Sequence, residues 1–197
     1  LLCAHWDTRP WADQDPDPAN RSKPILGAND GASGVAVLLE IARLISQKPP
    51  RCGVDIVLFD AEDQGVEGSD NSYAKGSQYF ARTVVPTFRP RFGILLDLIG
   101  DANLNIYQEQ YSLSYARPVV EKVWNAAALL GVTEFIARPG YAVYDDHVPL
   151  LQRGIPCIDI IDFDYPPWHT LADTPDKCSP SSLEKVGRVV LQVIYSE

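Results

Sequence analysis

The chain is organised around one stretch, Val54-Asp55-Ile56-Val57-Leu58-Phe59-Asp60-Ala61-Glu62-Asp63. Its first part is apolar, rich in β-branched and aromatic residues, and about as long as a buried β-strand. Two adjacent carboxylates, Glu62 and Asp63, follow the end of this strand. Two such acids repel one another unless a cation neutralises them. Because neighbouring side chains point in different directions, one carboxylate can bind a metal while the other handles a proton.

Histidine and aspartate residues follow three other apolar runs in the same way. His5 and Asp7 follow the first run, Asp97 follows the run from 92 to 96, and His169 lies shortly after the last run. Open α/β sheets gather their chemistry where strands end. We therefore predict that the four segments form one site.

Length, composition and charge limit the classes of protein to which this chain can belong. The chain has 197 residues, of which 46% are hydrophobic and 22% charged, and we expect a single globular domain over 1–197. A net charge of −9 argues against a nucleic-acid partner. No apolar run reaches the roughly 18 residues of a membrane span. The first residue already lies in a strand-like run, so we expect the natural N-terminus, with any targeting segment, to be missing.

Strand-like and helix-like segments alternate along the chain. Helical periodicity or spacing predicts helices at about 32–46, 113–130 and from 181 onward, with a short helix around Ser77 to Phe80. Apolar runs predict a central strand at 53–60 and further strands at 1–5, 92–98, 104–107 and 156–161, while residues 6–29, 64–74 and 141–149 are predicted loops. This alternation predicts an α/β fold with a largely parallel sheet covered by helices on both faces.

Each candidate residue also has a plain structural interpretation. A single histidine after a strand is more often hydrogen-bonded than metal-bound, Asp30 suits a helix cap, and Asp97 suits a turn. The acids Asp145 and Asp146, which precede His147, suit a solvated loop. All of these residues occurring together after strands is much less expected by chance than any one of them alone. Histidine and carboxylate groups are zinc ligands, and catalytic zinc sites combine three such ligands with one open position.

Six motifs occur in the order found in one superfamily. They are His5-Trp6-Asp7, Gly27-Ala28-Asn29-Asp30, Asp60-Ala61-Glu62-Asp63, Leu96-Asp97-Leu98-Ile99-Gly100, Asp145-Asp146-His147 and Trp168-His169-Thr170. As a set they resemble the zinc-dependent aminopeptidases and their relatives, the glutaminyl-peptide cyclotransferases (glutaminyl cyclases). Four features are similar to the cyclases: the long loop after Asp63, Leu95-Leu96-Asp97-Leu98-Ile99-Gly100, the double acid before His147, and Trp168 directly before His169. Asp63 in place of glutamate is similar to some bacterial cyclases.

The resemblance implies a fold and a set of roles. The fold is a three-layer, mostly parallel mixed twisted sheet with helices on both faces. The implied ligands of one Zn²⁺ are Asp30, Asp63 and His169. Glu62 would move the proton while N-terminal glutamine closes to pyroglutamate and ammonia leaves. The implied supporting residues are Asp97 and Asp145, which hydrogen-bond each other or the leaving group, and Trp168, Tyr144 and His147 at the substrate.

Two alternatives remain open at this stage. In a zinc aminopeptidase, His5 and Asp97 would hold a second zinc, Asp30 would bridge the two ions, and Glu62 would activate a water. A catalytically inactive scaffold that binds peptides is the other alternative. The implied partners are peptides or proteins with a free N-terminus, and the resemblance implies an exported or periplasmic protein.

Overall fold

The computed structural model describes residues 1–66 and 68–197; Glu67, in the predicted loop 64–74, lies outside the described residues, as does the side chain of Asp70. The strands are β1 (Leu2–His5), β2 (Ile56–Phe59), β3 (Gly93–Asp97), β4 (Ile106–Gln108), β5 (Phe135–Pro139) and β6 (Cys157–Ile161). The α-helices are α1 (Ala32–Gln47), α2 (Lys75–Thr83), α3 (Gln110–Tyr115), α4 (Arg117–Leu130), α5 (His147–Gln152) and α6 (Pro180–Ser196). Short 3₁₀ helices cover Pro18–Asn20, Asp70–Ser72 and Pro175–Lys177.

Four strands form the main sheet, in the order β2-β1-β3-β6, and all their pairings are parallel. His5 pairs with Phe59, and Asp97 pairs with Ile161, so the carboxyl ends of the strands meet at one edge. β4 and β5 form a separate parallel pair. The predicted α/β fold with a largely parallel sheet is confirmed. Because the strands are parallel, the candidate residues that follow them lie at one edge of the sheet.

The core lies on both faces of the sheet because successive strand residues point to opposite sides. Ala4 and Leu96 pack with α1, α4 and α6 in the larger apolar cluster. Their neighbours Cys3 and Leu95 belong to a smaller cluster that includes Leu150 of α5 and receives Phe80 of α2 at its margin. Each fully buried leucine or isoleucine contributes roughly 1.5–3 kcal/mol. The three-layer arrangement follows from apolar residues at consecutive strand positions.

Helix α1 packs unusually close to the sheet at its first turn. A Cβ atom on Gly34 would lie 2.2 Å from the carbonyl oxygen of Leu96 and 3.0 Å from the Cβ of Ala4. Only glycine permits this approach. The contact holds the start of α1, and therefore the preceding Asp30, against the edge where β3 ends.

Several predicted elements differ from the structure. The helix predicted over 113–130 is two helices that meet at Ala116, whose φ of −137° is not helical. The predicted loop 141–149 ends in helix α5, which begins at His147, and β5 was not predicted. The strand predicted at 53–60 is shorter and lies at one edge of the described sheet rather than at its centre, with Leu58 40% exposed. Helix α6 begins after Ser179, whose side chain accepts a hydrogen bond from the Ser181 amide and so caps the helix.

One further observation concerns the described part of the chain. Its helices are all too short or too polar to cross a membrane.

All four cysteines carry free thiols, with Cys3 and Cys157 buried in the sheet. These two buried thiols therefore act as small packing groups.

Candidate metal centre and active site

Two groups of metal-ligand side chains lie together at the carboxyl edge of the sheet. The first is Asp30, Asp63 and His169, and the second is His5, Asp30 and Asp97. In each group the three ligand atoms lie within 4.8 Å of one another, and all the residues are buried. Asp30 belongs to both groups, with Oδ1 3.2 Å from His5 Nε2 and Oδ2 3.5 Å from His169 Nε2. The structure thus brings together residues that are far apart in sequence.

The distances in both groups suit zinc. Ligand atoms around a tetrahedral zinc with bonds of roughly 2.0–2.2 Å lie about 3.3–3.6 Å apart. Asp30 Oδ2 lies 3.5 Å from His169 Nε2, and Asp30 Oδ1 lies 3.2 Å from His5 Nε2, both close to this range. His169 Nε2 lies 2.9 Å from Asp63 Oδ1, and His5 Nε2 lies 3.1 Å from Asp97 Oδ1, so each of these pairs need only separate by a few tenths of an ångström to hold an ion. Buried carboxylate oxygens normally have hydrogen-bond donors, yet within 1–66 and 68–197 none donates to Oδ2 of Asp30 or Oδ2 of Asp63. These oxygens and imidazoles fit a divalent cation.

A tight turn after β2 presents the two acids in different directions. Ala61 adopts φ 55°, and the amides of Glu62 and Asp63 donate to Oδ1 and Oδ2 of Asp7, at 3.0 and 3.2 Å. Asp7 also lies 3.6 Å from Nδ1 of His5. One buried carboxylate therefore anchors the turn and orients an imidazole at the same time. Glu62 lies outside both metal groups.

The backbone amide of Asp30 fixes the position of this residue, and its side chain does not cap helix α1. The N-cap of α1 is Gly31, so the interpretation of Asp30 as a helix cap is wrong. The amides of Asn29 and Asp30 donate to the two oxygens of Asp173, at 2.9 and 3.2 Å. The Tyr165 hydroxyl donates to Asp173 Oδ1 at 2.9 Å. This buried bridge leaves both oxygens of Asp30 facing the two imidazoles.

An open cavity of about 240 Å³ lies over the first metal group. Its lining includes the predicted residues Asp30, Glu62, Asp63, Asp97, Tyr144, Asp145, Trp168 and His169. The ring of Trp168 stacks on that of His169, with centroids 3.8 Å apart and planes inclined by 24°, and Phe163 packs against Trp168 at 5.1 Å. The cavity therefore combines an acidic floor with an aromatic wall.

Burial shifts the titration of the acids at the cavity floor. Burial and the charge of Asp145 raise the pKa of Glu62 well above its usual value. Burial raises the pKa of Asp97 to about 7 against the opposing effect of His5, and burial and Asp30 raise the pKa of Asp63 to about 6. Hydrophobic surroundings disfavour the charged form of a carboxyl group. Such acids either bind a cation or carry a proton near neutral pH.

His147 differs from its predicted role at the substrate. Its side chain is fully buried, and Nε2 lies 3.1 Å from Oε2 of Glu109. His147 is the first residue of α5 and is not among the residues that line the cavity. With Asp145 and Asp159 it forms a third compact group of metal-ligand types.

The sequence pattern does not single out Asp173 or several other residues that support the site. Arg9 and Asp13 contact the segments that carry Asp63 and His169, and Tyr73 and Phe163 line the cavity. The one feature of the sequence that could have indicated Arg9 is its position as a cation in a turn-rich loop, with Asp13 four residues later and more acids after that. Nothing in the local pattern indicates which distant loop such a residue contacts.

The fold and the site together define a class: α/β proteins with a zinc-type metal centre at the carboxyl edge of a parallel sheet. The sequence model of Peptidase family M28 matches residues 1–194. The chain belongs to Peptidase family M28, and the predicted resemblance is confirmed. Zinc is the metal of this family, as in a solved Zn-dependent exopeptidase from Parabacteroides distasonis.

Individual relatives extend this result. A glutaminyl cyclase from Bacteroides thetaiotaomicron, solved with N-acetylhistamine, is 45% identical with a TM-score of 0.97, over 100% of this chain and 72% of that one. A structure described as a leucine aminopeptidase precursor from the same organism is 46% identical with a TM-score of 0.97, over 100% and 71%. The glutaminyl-peptide cyclotransferase of Boiga irregularis is 25% identical over all of this chain, which spans 61% of that protein's length.

Proposed function

We propose that this protein is a zinc-dependent glutaminyl-peptide cyclotransferase, which converts the N-terminal glutamine of peptides to pyroglutamate and releases ammonia. The observation that carries the proposal is the position of Glu62. This acid follows β2 beside the ligand Asp63, lies outside both metal groups and lines the cavity. The similarity to bacterial glutaminyl cyclases supports the proposal.

The proposed ligands of one catalytic zinc are Asp30, Asp63 and His169. Bound there, Zn²⁺ would supply a Lewis acid for the γ-carboxamide carbonyl of the substrate. Glu62 takes a proton from the α-amine as the amine nitrogen bonds to the carboxamide carbon. It then gives that proton to the departing nitrogen, so ammonia leaves and the carboxylate is regenerated. Burial raises the pKa of Glu62, and this suits an acid that must hold a proton between the two steps.

The remaining cavity residues bind and orient the substrate. Asp97 and Asp145 lie on the floor beside Glu62, where each can accept hydrogen bonds from the α-amine or the leaving ammonia. Trp168, backed by Phe163, forms an apolar wall for the glutamine side chain. Ring closure is intramolecular, so holding the chain in a bent conformation supplies much of the rate enhancement.

Two observations favour a second candidate function, that of a zinc aminopeptidase. His5, Asp30 and Asp97 form a second compact group that shares Asp30 with the first, and a relative described as a leucine aminopeptidase precursor is 46% identical. In this alternative two zinc ions are bound, and Glu62 takes a proton from the attacking water. The cyclase proposal expects one zinc, held by the first group.

The decisive experiment compares two substrates. Purified protein is incubated with a glutamine-terminated peptide and with the same peptide beginning with leucine, while ammonia and free amino acids are measured. The cyclase proposal expects ammonia release and loss of the free α-amine from the first peptide alone, with about one zinc per chain by elemental analysis. Release of free leucine with about two zinc ions would establish the aminopeptidase instead, and the absence of both products would leave the peptide-binding scaffold.

A further inference from the structure

Arg9 is a fully buried cation that joins two loops of the metal centre. Its Nη1 donates to the carbonyl oxygens of Asp63 and Gly65, both at 2.7 Å. Its Nε and Nη2 donate to the two carboxylate oxygens of Asp13, at 3.3 and 2.5 Å. A buried guanidinium is stable only when its donors are paired. Arg9 therefore ties the backbone of the ligand Asp63 to the carboxylate of Asp13.

Asp13 reaches a second ligand of the same metal group. Its Oδ1 lies 3.4 Å from Nδ1 of His169, while Nε2 of that ring faces Asp63 Oδ1 at 2.9 Å. A carboxylate beside the distal nitrogen of a ligand histidine keeps the proton on that nitrogen, and this leaves the other nitrogen free to bind metal. Asp13 stands in the position that performs this function for His169.

The rings around Arg9 strengthen the same connection. Trp11 and Tyr73 face the guanidinium at 5.1 and 5.6 Å from their ring centroids. Tyr73 also lines the cavity. A planar guanidinium can pair with a carboxylate, two carbonyls and aromatic rings at once, and a lysine cannot.

We infer that Arg9 and Asp13 form a positioning pair that holds two of the three proposed zinc ligands, Asp63 through its backbone and His169 through its distal nitrogen. The pair sits on the long loop between β1 and α1, so this loop acts as a brace across the metal centre. The inference rests on the proposed zinc site, but it is independent of the reaction that the zinc serves.

The test measures zinc affinity, by competition with a chromophoric chelator, in the wild type and in Asp13→Asn. This substitution keeps the size of the side chain and removes the charge shared by Arg9 and His169. Loss of a supporting partner of a metal ligand weakens metal affinity about 10–100-fold, and we expect a loss in this range. Asp13→Glu, which keeps the charge, is expected to retain more affinity than Asp13→Asn, and Arg9→Lys is expected to weaken binding as Asp13→Asn does.

Asp15→Asn is the matched control. Asp15 is buried in the same loop and accepts from the Leu171 amide at 3.1 Å, but it has no contact with a ligand side chain among the described residues. We expect Asp15→Asn to lower the melting temperature and to change zinc affinity less than about threefold. Equal losses of zinc affinity in Asp13→Asn and Asp15→Asn, or wild-type affinity in Asp13→Asn, would overturn the inference.

The measurement also separates this inference from the proposed function. If the wild type binds zinc but releases no ammonia, the proposed reaction is wrong, and the ranking of zinc affinities still decides the role of the pair. If the wild type binds no zinc, both proposals fall. Far-ultraviolet circular dichroism of each variant shows that the affinities refer to folded protein.

Discussion

At the scale of single residues, Glu62 is the group on which the proposed chemistry depends. Glu62→Gln keeps the size of the side chain but cannot take up a proton from the α-amine. General acid–base groups typically contribute about 10²–10⁴-fold, so we expect kcat for ammonia release to fall by this factor. Zinc content should stay at the wild-type level, because Glu62 belongs to neither metal group.

The control for this substitution is Glu40→Gln on the outer face of α1. Glu40 is exposed and pairs with Arg43 of the same helix, so its loss should leave kcat unchanged and stability nearly so. A Glu62→Gln protein that lost its zinc together with its activity would contradict the role given to Glu62, because the defect would then lie in metal binding.

Asp162 gives a prediction for the dependence of stability on pH. The side chain is fully buried after β6 and accepts from the amides of Asn105 and Asp164, and burial raises its pKa to about 7. Between about pH 4 and 7 Asp162 holds a proton in the folded state that it has lost in the unfolded state. Its contribution to the free energy of unfolding is therefore full at low pH and declines as pH rises through this range. The loss is at most about 4 kcal/mol.

Urea unfolding of wild type and Asp162→Asn at pH 5 and pH 8 measures this effect. The wild type should lose stability relative to the variant as pH rises, because the carboxamide introduced at position 162 does not titrate. A stability difference between the two proteins that stays constant from pH 5 to pH 8 would show that burial does not hold a proton on Asp162.

The ligand residue types could be predicted from the sequence, but their supports could not. His5, Asp30, Asp63, Asp97 and His169 follow strand ends or precede a helix, and parallel strands bring such positions to one edge. Arg9 and Asp173 act through backbone groups of other loops. Local periodicity carries no information on which loops meet, so these partners emerge only from the tertiary structure.

At the scale of elements, the contact between α1 and β3 predicts opposite effects of the same substitution at two helical glycines. Gly34→Ala would place a methyl group 2.2 Å from the Leu96 carbonyl oxygen, and we expect a loss of about 1–3 kcal/mol, as for other overpacked sites. Gly187→Ala in α6 would meet only Val37 at 3.6 Å. Because alanine favours helix, this variant should gain about 0.5–1 kcal/mol.

Chemical denaturation of both variants tests the contact. If Gly34→Ala were as stable as Gly187→Ala, the close approach of α1 to the sheet would not exist as described. Gly187→Ala also serves as the control for any general effect of glycine replacement in a helix.

Element boundaries show where local pattern stops being informative. Apolar periodicity runs through residues 113–130, but the backbone at Ala116 leaves the helical region and Pro118 lies in the first turn of a new helix. The sequence pattern does not predict β5, because its last three residues, Ala137 to Pro139, are exposed and carry little β-branched or aromatic character. Its identity as a strand comes from pairing with β4, which is a contact between distant segments.

At the scale of the whole molecule, zinc is expected to stabilise the fold as well as the site. Its proposed ligands come from loops after β1, β2 and β6, and unfolding separates them. A ligand present at about 1,000 times its Kd stabilises by about 4.1 kcal/mol. Removing zinc with a chelator should therefore lower Tm by several degrees, and restoring zinc should reverse the change.

Differential scanning calorimetry with and without a chelator, followed by zinc addition, measures this shift. Magnesium added in place of zinc is the control, since Mg²⁺ prefers octahedral oxygen sites and binds imidazole poorly. A Tm that is the same with and without zinc would argue against ligands drawn from separate loops.

One carboxylate, Asp30, faces both imidazoles of the site, with a different oxygen toward each. A cation bound at one of the two metal groups draws the negative charge of Asp30 toward itself and weakens its attraction for a cation at the other group. The two groups therefore compete for the same carboxylate. By thermodynamic reciprocity, filling either one must change the affinity of its neighbour by the same factor. If a second ion binds to His5, Asp30 and Asp97, it should therefore bind in a separate and weaker step of a metal titration, whereas the single zinc that the cyclase proposal expects gives one step.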